Sequence, residues 1–159
     1  MAGAKASLCF LFVQVALLLM HSPVHPAHAG QGAVYIGSEA CGECHPDQYE
    51  SYKDNSKKAD SFTGIKKMAA KLTPAELGEC YGCHTTGYGK PGGFRSEQET
   101  PQLKNIGCEA CHGPGSLHAD SQDPSDLNAQ LGIEDCKTCH NAERVAAFNF
   151  KPLVYGGAH

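Results

Sequence analysis

Cys41-Gly42-Glu43-Cys44-His45 is the stretch that decides the fold, because its pattern returns three more times in the chain. The copies are Cys80-Tyr81-Gly82-Cys83-His84, Cys108-Glu109-Ala110-Cys111-His112 and Cys136-Lys137-Thr138-Cys139-His140. Eight of the nine cysteines are used in this way. In a helical turn, positions i, i+3 and i+4 share one face. Two thiols so placed add to the two vinyl groups of a haem while the adjacent imidazole reaches the iron, and C-x-x-C-H is the attachment signal for c-type haem. The pattern therefore predicts four covalent haems, held by Cys41, Cys44, Cys80, Cys83, Cys108, Cys111, Cys136 and Cys139, with His45, His84, His112 and His140 as proximal iron ligands. Two Cys₄ zinc sites or four disulfides would also use eight cysteines. Neither explains a histidine after every pair.

Outside the motifs, the stretch from Met1 to Ala29 reads as a secretory signal. Lys5 supplies the positive end, Ser7 to Met20 form a mostly apolar run, and Ala27-His28-Ala29 is an A-x-A cleavage site. Read instead as an uncleaved anchor, the run falls short of the ~20 apolar residues a membrane span needs. Cys9 lies within the run and is expected to leave with it. This predicts a cleaved segment 1–29, a tetrahaem domain 30–159 with no membrane span, and export to the periplasm, with the outer cell surface open as a destination.

The expected mature segment is poor in core-forming residues. Leu, Ile, Val and Phe together number 18 in residues 30–159, about 14%, where a soluble chain below ~20% does not normally bury enough apolar surface to fold. It nevertheless lacks the charge blocks and low-complexity tracts of a disordered tail. Four porphyrins in so short a chain would supply the missing core and lie close together. The expectation is a mostly α protein with long loops, a small multihaem cytochrome whose core is its haems and whose haem-free chain is unfolded.

The formal charge of −4 excludes a general nucleic-acid footprint. Lys53, Lys57, Lys58, Lys66, Lys67 and Lys71 cluster all the same. They read either as a solvated helical face, as a docking patch for an acidic redox partner, or as cover for haem propionates.

Local signals place the motifs. Val34-Tyr35-Ile36 suggests a short extended piece. Pro46 suits a first helical position, and Tyr49, Tyr52 and Lys53 follow at helical spacing. Thr73-Pro74-Ala75-Glu76 is a capping box that predicts a helix running toward Cys80. Residues 85–107 carry Gly87, Gly89, Pro91, Gly92, Gly93 and Pro101 and read as a loop with a small hairpin. Gly113-Pro114 is expected to stop the third attachment helix, and Ser125 to Leu131 to form another short helix. The motifs open at Cys41, Cys80, Cys108 and Cys136, an uneven spacing that makes no regular repeat array.

Each iron has a second axial position, filled or open, and that choice decides its chemistry. Beyond the four motif histidines, residues 30–159 hold two, His118 and His159, so two haems at most gain a second imidazole. His118 follows closely on His112 in sequence and is better placed for a neighbouring haem than for the same one. Met68, Lys58 and the new N-terminal amine are the remaining candidates, with Met68 otherwise an ordinary packing residue. At least one iron is then a candidate for an open position able to bind a small molecule such as nitric oxide.

The order of these features resembles the tetrahaem cytochrome c-554 family. The resemblance is carried by Tyr35-Ile36-Gly37-Ser38 with Cys41 to His45, by Cys83-His84-Thr85-Thr86-Gly87-Tyr88, by Gly107 through His118, and by Cys136 to His140. It implies His118 and His159 as distal ligands and a five-coordinate haem on His84. Where the family shows Ser-x-His after the first motif, this chain reads Ser56-Lys57-Lys58. That substitution implies either a His/Lys haem using Lys58 or a surface lysine and a second open iron.

The function implied is electron transfer between redox proteins, multihaem or quinone-linked donors and acceptors, outside the cytoplasm. The rival is an enzyme reducing nitric oxide or a related nitrogen compound at the His84 haem, with Tyr81 and Tyr88 beside it. No residue is assigned a catalytic role, because an open iron permits catalysis without demanding it. A redox sensor or subunit of a larger complex is a third reading. Oligomeric or filament state, reduction potentials and partners are not legible.

Overall fold

In the computed structural model, residues 32–141 are described. The segment 1–29 expected to be a signal, the C-terminal end of the expected domain and His159 lie outside them.

Seven short α-helices are assigned among the described residues, joined by 3-10 turns and irregular loops, with no strand. They are α1 (Ser38–Gly42), α2 (Pro46–Asn55), α3 (Ser61–Met68), α4 (Pro74–His84), α5 (Glu109–His112), α6 (Ser116–Ser121) and α7 (Ile133–Lys137). The mostly α, long-loop expectation holds. Each boundary has a local cause. Pro46 opens α2, where its missing N–H costs nothing. At α4 the capping box is complete: Thr73 N–H and Oγ1 both donate to Glu76 Oε2, at 2.8 and 2.7 Å, and Glu76 N–H returns to Thr73 Oγ1 at 3.3 Å. Gly113, at φ 82°, ends α5 in a conformation that side chains disfavour.

Two expectations are corrected. Residues 125–131 form no α-helix; Pro124–Asp126 makes a single 3-10 turn, capped by Asp123 accepting from Ser125 N–H at 2.8 Å. The side chain of Asp123 satisfies the turn's free donor locally, so nothing drives a longer helix. The 85–107 loop contains no hairpin. It folds around Thr86 instead, which is 1% exposed. Thr86 N–H donates to Leu103 O and its carbonyl accepts from Phe94 N–H, both at 2.9 Å, while Oγ1 donates to Asn105 O at 2.7 Å. Val34 to Ile36 pairs with no strand; Val34 N–H and O bond Ser116 Oγ and N–H at 2.9 and 3.2 Å.

The side-chain core is small. Phe62 and Ile65, one turn apart on α3, meet Phe94 and Leu103 from the loop, and Tyr35, Leu77, Cys80 and Tyr81 pack around them. With Tyr52, these four are the buried hydrophobic residues among those described. A soluble domain of this length ordinarily buries far more apolar side-chain surface.

Candidate haem centre

The four motifs adopt the turn their spacing predicts. His45, His112 and His140 each donate a backbone N–H to the carbonyl of the first cysteine of the motif, at 2.9, 3.0 and 2.9 Å. The second motif lies wholly within α4. One helical turn thus carries both sulfurs and the imidazole on a common side at each motif. All eight motif cysteines are free thiols, and among the described residues no three His, Cys, Asp or Glu side chains are grouped to hold a bare metal ion. The donor set of two unbridged thiols and one imidazole per turn fits a haem, and the small side-chain core leaves the apolar interior for porphyrins to supply.

Buried polar groups hold the first and third motifs together. Glu109, between the third-motif cysteines, is 3% exposed. Its carboxylate accepts from Ile36 N–H at 2.9 and 3.2 Å, from Gly37 N–H at 2.7 Å and from Gly115 N–H at 2.7 Å. Ser38 Oγ accepts from Cys108 N–H at 3.0 Å. The neighbouring Cys41 and Cys108 thiols act on each other, pushing the Cys41 thiol up and the Cys108 thiol down. Sequence reasoning passed over Glu109 as a variable position within C-x-x-C-H; its sign in the sequence is only an acid flanked by cysteine and alanine.

The third and fourth motifs are joined through Asn128. Its N–H donates to His112 O at 3.0 Å, its own carbonyl accepts from His112 Nδ1 at 2.8 Å, and its side-chain amide reaches Asp135 of α7 at 2.9 Å. A histidine that donates Nδ1–H to a carbonyl is oriented to offer Nε2 to a metal. His118 has the same arrangement, with Nδ1 3.0 Å from Asp123 O. The second motif is tied in by Ser61, whose Oγ donates to His84 O at 2.9 Å and accepts from Ile106 N–H at 3.0 Å.

The structure brings His118 to His45. Their ring centroids are 6.1 Å apart and their planes lie within 18° of parallel. Two imidazoles on opposite sides of one iron, with metal–nitrogen bonds of ~2 Å, place their ring centres roughly 6 Å apart. Sequence spacing steered His118 away from His112 but left its partner open.

Lys58 is half-buried, whereas Lys53, Lys57, Lys66, Lys67 and Lys71 are exposed. It sits within electrostatic range of the third and fourth motifs. Burial pushes the Cys111 and Cys136 thiols up and the His140 imidazole down; the Lys58 charge opposes the first two shifts and adds to the third. Met68 is 57% exposed, which corrects its reading as an ordinary packing residue. Tyr81 lies in an aromatic cluster with Phe62, Phe94 and Tyr88, at centroid distances of 6.0, 5.1 and 5.3 Å.

Residues 40–113, spanning the first three motifs, match the family described as Cytochrome c554 and c-prime. The chain is similar to cytochrome c-554 in both sequence and fold. Cytochrome c-554 of Nitrosomonas europaea is 41% identical over 93 residues, which are 52% of this chain and 40% of that protein; the match thus spans less than half of that relative's length. The solved structure of reduced cytochrome c554 from the same organism superposes with a TM-score of 0.59 at 25% identity, covering 81% of this chain and 86% of that one. The described residues share the mostly helical fold of that structure, and the chain carries four copies of the c-type haem attachment pattern. Among the described residues, no helix is long and apolar enough to cross a membrane.

Proposed function

We propose that this protein belongs with the cytochrome c-554 family and is an electron carrier that accepts electrons from one redox protein and passes them to another outside the cytoplasm. The observation that carries this reading is the direct linkage of the attachment turns: Cys108 N–H to Ser38 Oγ at the head of α1, Gly37 N–H to Glu109, and His112 through Asn128 to α7. Bound haem supplies the one-electron iron couple. The chain's own residues would hold four such groups at attachment turns that are bonded to one another. Cys41, Cys44, Cys80, Cys83, Cys108, Cys111, Cys136 and Cys139 form the thioethers, and His45, His84, His112 and His140 are the proximal ligands.

His118 serves as distal ligand to the haem whose proximal ligand is His45, supported by the 6.1 Å ring separation and by Asp123 O, which orients its Nε2. His159 is the second distal histidine. Lys58, half-buried near the last two motifs, would supply a further ligand as a neutral amine, and a haem held at His84 would keep a position free for a small molecule. The packing of Tyr81 among aromatic rings supports a structural role for it, and the enzyme reading gains no residue from the site. A spectroelectrochemical titration of the haem-loaded protein tests the carrier: four one-electron equivalents are taken up reversibly. Uptake of fewer, or irreversible reduction, sinks the reading. For Lys58, an unchanged haem absorption and spin state in Lys58→Ala removes it from the ligand set.

A further inference from the structure

The lysine run from Lys53 to Lys71, of which only Lys58 is assigned to the haem centre, is of unusual composition. From Lys53 to Lys71, six lysines stand against Asp54 and Asp60, a local net of +4. The whole chain is −4, so everything outside that stretch carries −8. Lys66 is committed to Glu97 at 2.8 Å. Lys57, Lys67 and Lys71 are exposed and take part in none of the ion pairs found among the described residues. Between Lys67 and Lys71 stands Met68, at 57% the most exposed large hydrophobic side chain among the described residues. An exposed apolar side chain flanked along the chain by unpaired like charges suits a transient protein contact, with the apolar part providing affinity and the charges steering approach.

The position of this surface matters as much as its charge. The opposite face of α3 buries Phe62 and Ile65. Phe62 stacks on Tyr81, between the two cysteines of the second motif, at 6.0 Å. Ser61, at the start of the same helix, bonds the carbonyl of His84. One short helix therefore separates the lysine surface from the second attachment turn. Lys58, in the adjoining 3-10 turn, lies toward the third and fourth motifs.

We infer that the surface at α3 formed by Lys57, Lys67, Met68 and Lys71 docks a redox protein with an acidic surface, and that electrons cross there to or from the second-motif haem. This rests on the electron-carrier reading. At the crossing one electron moves, the donor is oxidised by one unit and one ferric iron becomes ferrous, with no proton or bond change required. The local field at the face attracts an acidic partner although the molecule as a whole repels it.

The test mixes oxidised, haem-loaded protein in stopped flow with dithionite, whose one-electron donor is the sulfur dioxide radical anion, and separately with cationic hexaammineruthenium(II). With the anion, the rate falls severalfold as ionic strength rises from about 10 to about 300 mM, because the patch and not the net charge governs approach. Lys67→Glu with Lys71→Glu lowers the low-salt rate about fivefold, while Lys90→Glu with Arg95→Glu, an equal change in net charge elsewhere, leaves it near wild type. Fluorescence anisotropy of labelled poly-L-glutamate supplies a binding readout, weakened about tenfold in the first pair and little in the second. A rate that rises with salt in the wild type, or equal losses in both pairs, overturns the docking face and leaves the carrier intact. Failure of both reductants to reduce any haem removes the carrier reading and the docking face together.

Discussion

Glu109 Oε2 accepts a hydrogen bond from the amide of Gly37 at 2.7 Å, although the two residues stand far apart in sequence. With Ile36 and Gly115 as its other donors, this carboxylate at the third haem turn holds the segment that leads into the first. Replacing it with alanine leaves three amides without their acceptor. At about 1–3 kcal/mol for each buried donor left unsatisfied, Glu109→Ala is expected to destabilise the haem-loaded protein by about 3–5 kcal/mol, allowing for partial rehydration. Equilibrium denaturation followed by far-UV circular dichroism measures the loss. A change within about 0.5 kcal/mol, the ordinary range for a surface substitution, contradicts the tether.

His118→Ala is expected to turn one haem of the four from low spin to high spin without lowering haem content. Electron paramagnetic resonance of the oxidised protein reads the change, and added imidazole restores the low-spin signal. An unaltered spectrum disposes of the His45–His118 pair as an axial set. The variant Asp123→Ala leaves the carbonyl that orients His118 in place and is expected to keep the spin state.

Gly93→Ala sets a methyl group against the backbone of Gly87, where an added Cβ has no room. Two stretches of main chain meet there, so no flexible side chain yields. A loss of about 2 kcal/mol or more is expected, measured by thermal unfolding. Gly64→Ala, on α3 at a position with open space around the added Cβ, is the control, expected to be neutral or to stabilise by up to about 1 kcal/mol through helix propensity.

At the start of α4, the Glu76 carboxyl is held below its ordinary value of 4.5, first by the Thr73 backbone N–H and then by the Thr73 hydroxyl. A depressed carboxylate stabilises the fold above its unfolded pKa, and the contribution disappears as pH falls through the folded one. Glu76→Gln is therefore expected to be less stable than wild type at pH 6 and to converge with it as pH drops below about 4.5. Thr73→Ala, which removes the cap itself, costs about 1 kcal/mol. A gap between wild type and Glu76→Gln that stays constant down to acid pH counts against the capping carboxylate.

Replacing all eight motif cysteines with serine is expected to leave an unfolded chain, because Phe62, Ile65, Phe94 and Leu103 are too few to hold it. A cooperative thermal transition in circular dichroism contradicts this.

The cofactor, the number of copies, the helical turn at each motif, the α4 cap and the stop at Gly113 were all legible in the linear chain. Each of these is settled by near neighbours in sequence, where backbone geometry alone relates the side chains. The 3-10 turn at 124–126 was not, because the choice between a cap and a longer helix is a small local energy difference. Which motif neighbours which, the meeting of His118 with His45, the tether from Glu109 to Gly37 and the place of Thr86 in its loop were decided only by tertiary structure. Those relationships pair residues from different parts of the chain, and they exist because buried polar groups must find partners wherever the folded chain supplies them. No periodicity in the sequence records that requirement.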